Sequence, residues 1–197
     1  MARKPDFDRE LCLQQALKAF WWHGYDKTSL EDLLGVMGIK TSSLYNSFGS
    51  KEKLFFEALK YYRLKVGGVR ISILHSEDIG GKEALFKYFD HLITRNGDQF
   101  FPPGCFMMKT AVSLTDPDSA VGKEVMSAIS NLEKGFETAL KRGQNNSEFS
   151  KSVDVAGMAR VFVTEAYGIS VLTRTKKSKK ELLQTASTLI ELLSVKV

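Results

Sequence analysis

Apolar residues recur at helical spacing almost from the start of the chain. Cys12, Leu13, Ala16, Leu17 and Phe20 share one face of a helix predicted over about residues 7–23. Gly24 is expected to end it, since glycine reaches positive φ at little steric cost. Thr28-Ser-Leu-Glu31 fits a capping box, with a hydroxyl at the N-cap and a carboxylate three residues on. Thr28 is therefore expected to open a short second helix with Leu30, Leu33, Leu34 and Met37 inward. Gly38 breaks that helix, and a third is predicted from about Thr41 to Phe48. Gly49-Ser50 closes it, and Ser50 caps a longer helix to about Val66 carrying Leu54, Phe55, Ala58, Leu59 and Tyr62. The turn at Gly38-Ile39-Lys40 is too short for an antiparallel pair. The second and third helices should cross steeply, leaving a face of the third free to enter a groove.

Beyond Gly67-Gly68 the pattern changes. A helix from Lys82 to about Asn96 places Leu85, Tyr88, Phe89 and Leu92 inward. Phe100 to Gly104 reads as a loop, followed by an apolar stretch from Cys105 to Leu114. Asp116 is the expected N-cap of the next helix, with Pro117 at its first position. That helix carries Val121, Val125, Ile129, Leu132, Phe136 and Leu140 on one stripe, and Gly143 is expected to end it. Two more helices follow, from about Asp154 to Leu172 and from Ser178 to about Ser194, the second opened by the capping box Ser178-Lys-Lys-Glu181. No stretch alternates with period two, and no internal repeat is visible. The pattern predicts an all-α protein of about nine helices.

Composition narrows the function. The chain has 197 residues, 43% of them hydrophobic, enough for one ordinary core and a small satellite domain. A net charge of +5 is compatible with a polyanionic partner without requiring one. No apolar run approaches the ~20 residues that span a bilayer, and Met1 to Asp6 has charge but no apolar signal core. Cys12 and Cys105 lie far apart, so free thiols in a reducing cytoplasm are expected. His23, His75 and His91 do not fall at metal-ligand spacing with either cysteine, so neither a metal nor another cofactor is expected. The chain also lacks a glycine-rich phosphate loop and any serine or cysteine motif with a plausible base, which argues against an enzyme.

The series Gly24-Tyr25, Thr28-Ser-Leu-Glu-Asp-Leu33, Met37-Gly-Ile39 and Ser43-Leu-Tyr-Asn-Ser-Phe-Gly-Ser-Lys-Glu-Lys-Leu54 resembles the DNA-binding domain of the TetR family, without a gap from about Arg9 to Tyr62. Gly104 to Thr110 also looks like the sixth helix of part of that family. The resemblance implies a helix-turn-helix DNA-binding domain over residues 1–50 and a helical ligand-binding and dimerisation domain over 51–197. It makes the third helix the recognition helix, with Thr41, Ser42, Ser43, Tyr45 and Asn46 facing DNA and Leu44 and Phe48 anchoring it. Hydroxyls and amides suit phosphates and base edges, and an asparagine can pair bidentately with adenine. Thr28, Lys40 and Lys51 complete the expected DNA-facing set, Thr28 and Lys51 as phosphate contacts at helix starts. The chain departs from the family in having Lys40 where a capping serine is common, Thr41 where lysine is common, and Ser47 where an aromatic or histidine is usual. The implied partners are palindromic operator DNA, a small-molecule effector and a second copy of the chain.

The remaining candidates lie in the body. Cys105 follows a Pro-Pro-Gly loop at a helix start, with Lys109 at i,i+4, a setting for a reactive thiolate that could sense oxidants or electrophiles; packing is the plainer reading. Aromatics from Phe86 to Tyr167, Tyr88 among them, could line a pocket or simply fill a core. Val161, Phe162, Ala166, Leu182, Ala186, Leu189 and Leu193 are expected at a four-helix interface across a two-fold axis. The segment from Arg174 to Lys180 reads as a solvated loop, and the helix from Ser50 to Val66 is the expected lever between head and body.

Overall fold

The computed structural model describes residues 7–94 and 100–194. Asn96, the expected end of one helix, lies outside them, as do Met1 to Asp6. The described residues are all-α, with one isolated antiparallel bridge between Phe149 and Ser194. The head carries α1 (Arg9–His23), α2 (Leu30–Met37) and α3 (Thr41–Phe48), followed by the connecting helix α4 (Lys51–Tyr61). A π-helical turn, Tyr62–Gly67, joins α4 end to end with α5 (Gly68–His75). The body continues with α6 (Gly81–Thr94), α7 (Phe106–Val112), α8 (Ala120–Asn145), α9 (Val155–Leu172) and α10 (Lys179–Glu191).

Several starts and stops differ from those the pattern suggests, each for a local reason. The capping box of α2 is Ser29 with Asp32, one residue beyond Thr28 and Glu31. Thr28 cannot cap because it is turned inward and fully buried, its hydroxyl donating to the Gly24 carbonyl at 2.6 Å. Gly67-Gly68 is no boundary, since helical backbone runs straight through it. The carboxylate of Asp116 accepts the Asp118 N–H, so α8 starts a turn later, capped by the Ser119 hydroxyl. It also runs past Gly143 to Asn145. The Ser178–Glu181 box on α10 is present as expected.

Two apolar clusters organise the described residues. The first joins α1 to α4 with Cys105, Phe106 and Met107 of the α7 region and Val125 of α8. The head is therefore not packed on itself alone: Trp21 lies edge-on to Tyr62, with ring centroids 4.9 Å apart, and is tilted against Phe106. The second cluster is the body core of α5, α6, α8, α9 and α10, around Phe89, Phe136 and Phe162. There α6 meets α8 at Gly81, where a Cβ would collide with the Ala139 carbonyl. By length and hydropathy α9 could cross a membrane, yet its Phe162, Val163, Ala166 and Ile169 are buried within the body.

Candidate nucleic-acid interface and body cavity

The geometry of α3 follows from its eight residues. Leu44 and Phe48, four apart, are buried and pin the helix to the head core. Gly38, in the left-handed region at φ 64°, turns the chain from α2 into it. Arg9 secures the far end: its guanidinium donates to the Ser47 carbonyl at 3.2 Å, pairs with Glu57 at 2.7 Å and lies 4.5 Å over the Phe48 ring. The opposite face is left to solvent. Lys40, Thr41, Ser42, Tyr45 and Asn46 are exposed and Ser43 is half-buried. Lys40 holds the N-cap position but makes no capping bond, so the first N–H groups of α3 carry no side-chain cap. Lys51, at the start of α4, is half-buried, its ammonium 4.3 Å over the Tyr25 ring. Thr28, the remaining member of the expected set, contributes no surface. Its neighbour Ser29 is exposed at the helix start instead.

Body and head are clasped at the end of α1. The Lys109 ammonium donates to the carbonyls of Trp21 at 2.9 Å and Trp22 at 2.6 Å. Arg174 donates to the Pro103 carbonyl at 3.0 Å and to Trp21 at 3.4 Å. Two cations thus serve the negative end of α1. Burial, with Arg174 and Lys27 nearby, lowers the Lys109 pKa. Lys109 is consequently occupied by α1, so the expected pairing with Cys105 is replaced by another. Arg174, expected in a solvated loop, is part of the joint.

Cys105 takes the N-cap position of α7 and is buried. Its sulfur accepts the Tyr62 hydroxyl at 3.2 Å, and that hydroxyl accepts from Arg70 Nη2 at 2.8 Å. All three line a cavity of about 470 Å³ between the π turn, α5, α6, α7, α8 and α9. Burial pushes the Tyr62, Tyr88 and Tyr167 phenols well above their usual range, so they stay neutral. Of the aromatics read as pocket candidates, Tyr88 and Tyr167 line the cavity; Phe89, Phe106, Phe136 and Phe162 are core. The sequence pattern marks Tyr62 only as part of an apolar face and does not single out Arg70. The signal for Arg70 was a lone cation within Val69-Arg-Ile-Ser-Ile-Leu74.

Most of the expected interface set is claimed by the protomer itself. Phe162, Ala166, Leu182, Ala186 and Leu193 are buried in the body core, because α6 and α8 cover that side of α9 and α10. Val161 remains 44% exposed and Leu189 half-buried.

A polar, uncapped helix set on a helix-turn-helix head, joined to a body with a ligand-sized cavity, defines a one-component DNA-binding regulator. Residues 13–58 match the family described as bacterial regulatory proteins, tetR family, and residues 81–189 match the tetracyclin repressor-like C-terminal domain. The chain belongs to the TetR family of transcriptional regulators. It is 30% identical over 190 residues to the HTH-type transcriptional repressor ComR of Escherichia coli (strain K12), spanning 96% of this chain and 90% of ComR. An uncharacterized HTH-type transcriptional regulator, YezE of Bacillus subtilis (strain 168), is 29% identical over 163 residues, 81% of this chain and 82% of its own. Among solved structures, a cysteine-substituted form of the TetR-family regulator CifR, complexed with 26-base-pair double-strand operator DNA, matches at TM-score 0.86 and 27% identity, covering 98% of this chain and all of that one.

Proposed function

We propose that this chain is a cytoplasmic, non-enzymatic, homodimeric repressor that reads a palindromic operator through paired α3 helices and leaves it when a small molecule fills the body cavity. Residues 1–50 form the reading head in this account and 51–197 the body. The observation that carries it is the exposed α3 face of Thr41, Ser42, Tyr45 and Asn46, held rigidly by Leu44, Phe48 and Arg9. The CifR–operator complex supports this use of the head. Lys40 and Lys51 flank the face as phosphate contacts, with Ser43 beside them and Ser29 taking the place expected of Thr28.

Release follows from how the cavity is built. Its walls include the π turn that continues α4 and the start of α7, whose Lys109 holds α1. A ligand that fits better at one head spacing draws the dimer to that spacing and takes the heads out of register with successive major grooves. Cys105 supports a second reading, release by thiol modification, because its sulfur lies on the cavity wall.

The test is a shift assay on the chain's own promoter region. Salt-sensitive binding is expected, with Asn46→Ala weakening it about tenfold or more, the scale of one bidentate base contact. Absence of binding to any promoter fragment at low salt would reject the repressor reading.

A further inference from the structure

Arg70 is 6% exposed, and among the described residues its one hydrogen-bond partner is the Tyr62 hydroxyl. A buried guanidinium without a carboxylate is costly, because its solvation is lost and nothing of opposite charge replaces it. Its position shows where a counter-charge would fit. Arg70 faces the 470 Å³ cavity, whose lining among the described residues includes Arg63, Arg70 and Lys134 and no aspartate or glutamate. Arg63 is already paired with Glu124, outside that lining, while Arg70 has no such pair among the described residues. The same wall carries the aromatic and apolar residues Tyr88, Tyr167, Leu92, Met107 and Leu132.

We infer that the cavity binds an organic anion: a small carboxylate on an aromatic or apolar frame, its carboxylate paired with Arg70 and its frame among Tyr88, Tyr167 and Leu132. This names the effector class for the cavity and rests on the repressor reading only for its consequence at DNA. A planar guanidinium presents paired N–H donors that match the two oxygens of a carboxylate. One of them is already fixed by Tyr62, so little side-chain freedom remains to be lost on binding. The ligand would also touch the Arg70–Tyr62–Cys105 chain, which links α5, the π turn and the N-cap of α7.

The experiment uses full-length protein without DNA and three acid–amide pairs: benzoate with benzamide, 2-naphthoate with 2-naphthamide, and octanoate with octanamide. Binding is read by calorimetry and by the unfolding midpoint. At least one acid should bind about tenfold more tightly than its amide, the scale of a charge-assisted hydrogen-bond pair. Arg70→Leu should erase that preference and Arg70→Lys should retain part of it. If Arg70→Leu does not fold, the acid–amide comparison on the unaltered protein and Arg70→Lys still decide. Binding of no acid, equal binding of acid and amide, or full preference in Arg70→Leu would overturn the inference. Operator binding is measured separately on the unaltered protein. Operator binding without acid preference sinks the inference alone; acid preference without operator binding sinks the repressor reading alone.

Discussion

Cys105 and Cys12 are both buried thiols, yet their surroundings differ in kind. Cys12 is closed into the head core, its thiol donating to the Met37 carbonyl at 3.5 Å. Cys105 borders the cavity and accepts the Tyr62 hydroxyl. N-ethylmaleimide should therefore react at Cys105 first, and the adduct would fill the cavity as a covalent stand-in for a ligand. The expected result is a loss of operator affinity of about tenfold, on the scale of a typical allosteric coupling, abolished by Cys105→Ser. Complete alkylation of Cys105 with unchanged affinity would reject the thiol reading. Residue identity at this scale was unevenly legible. The exposed face of α3 could be read because Leu44 and Phe48 fix its phase. Thr28 and Ser29 could not be told apart, since adjacent hydroxyls both satisfy a capping pattern and only the packing decides which one turns inward. Arg70 was hidden for a related reason: a charge among apolar residues reads as a surface interruption until a cavity is seen beside it.

Among the elements, α7 is short but touches everything that has to communicate. Its N-cap is Cys105, Phe106 and Met107 enter the head cluster, and Lys109 grips α1. Lys109→Met keeps the aliphatic stem and removes both bonds to α1. The protein should lose about 1 kcal/mol of stability, given that the side chain is partly solvated, seen as a lower unfolding midpoint. Operator affinity should change less than release does: maleimide or an effective acid should no longer free the DNA. Full release in Lys109→Met would show that α1 is not the route. Periodicity located α7 only as an apolar stretch, because a two-turn helix shows too little repeat to separate from a loop. The longer helices were found readily, while the start of α8 was missed because Asp116 satisfied Asp118 instead of the helix end.

For the whole molecule the decisive question is which face pairs two copies. Val161, Thr164, Gly168 and Val171 form an exposed stripe along α9 at spacings of three and four, without a charge, and a Cβ at Gly168 would meet nothing within 4 Å. This stripe, with Leu189 of α10 and Leu192 just past its end, is the interface expected of the proposed dimer. Gly168→Arg should give a monomer by sedimentation and weaken operator binding about a hundredfold, the usual scale of lost bivalency. A Gly168→Arg protein that remains a tight dimer would move the interface elsewhere. Of the α9 residues expected at the interface, Val161 lies on this stripe, while Phe162 and Ala166 face the core, because the pattern reports that a face is apolar, not who covers it. For Phe162, Ala166 and Leu182 the cover is the protomer's own α6, α8 and neighbouring body helices.

The π turn has a further consequence in angular terms. Ala58, Tyr62, Val66, Arg70 and Leu74 are all buried and are spaced by four. In an α-helix each residue advances about 100°, so every step of four overshoots a full turn by about 40°. Four such steps would carry Leu74 nearly to the opposite side of the rod from Ala58. The wider turn at Tyr62–Gly67 advances less per residue and takes back part of that overshoot. One rod can thereby keep a single flank inward from the DNA-reading head to the cation in the body, and any motion that tightened the turn would rotate one end against the other.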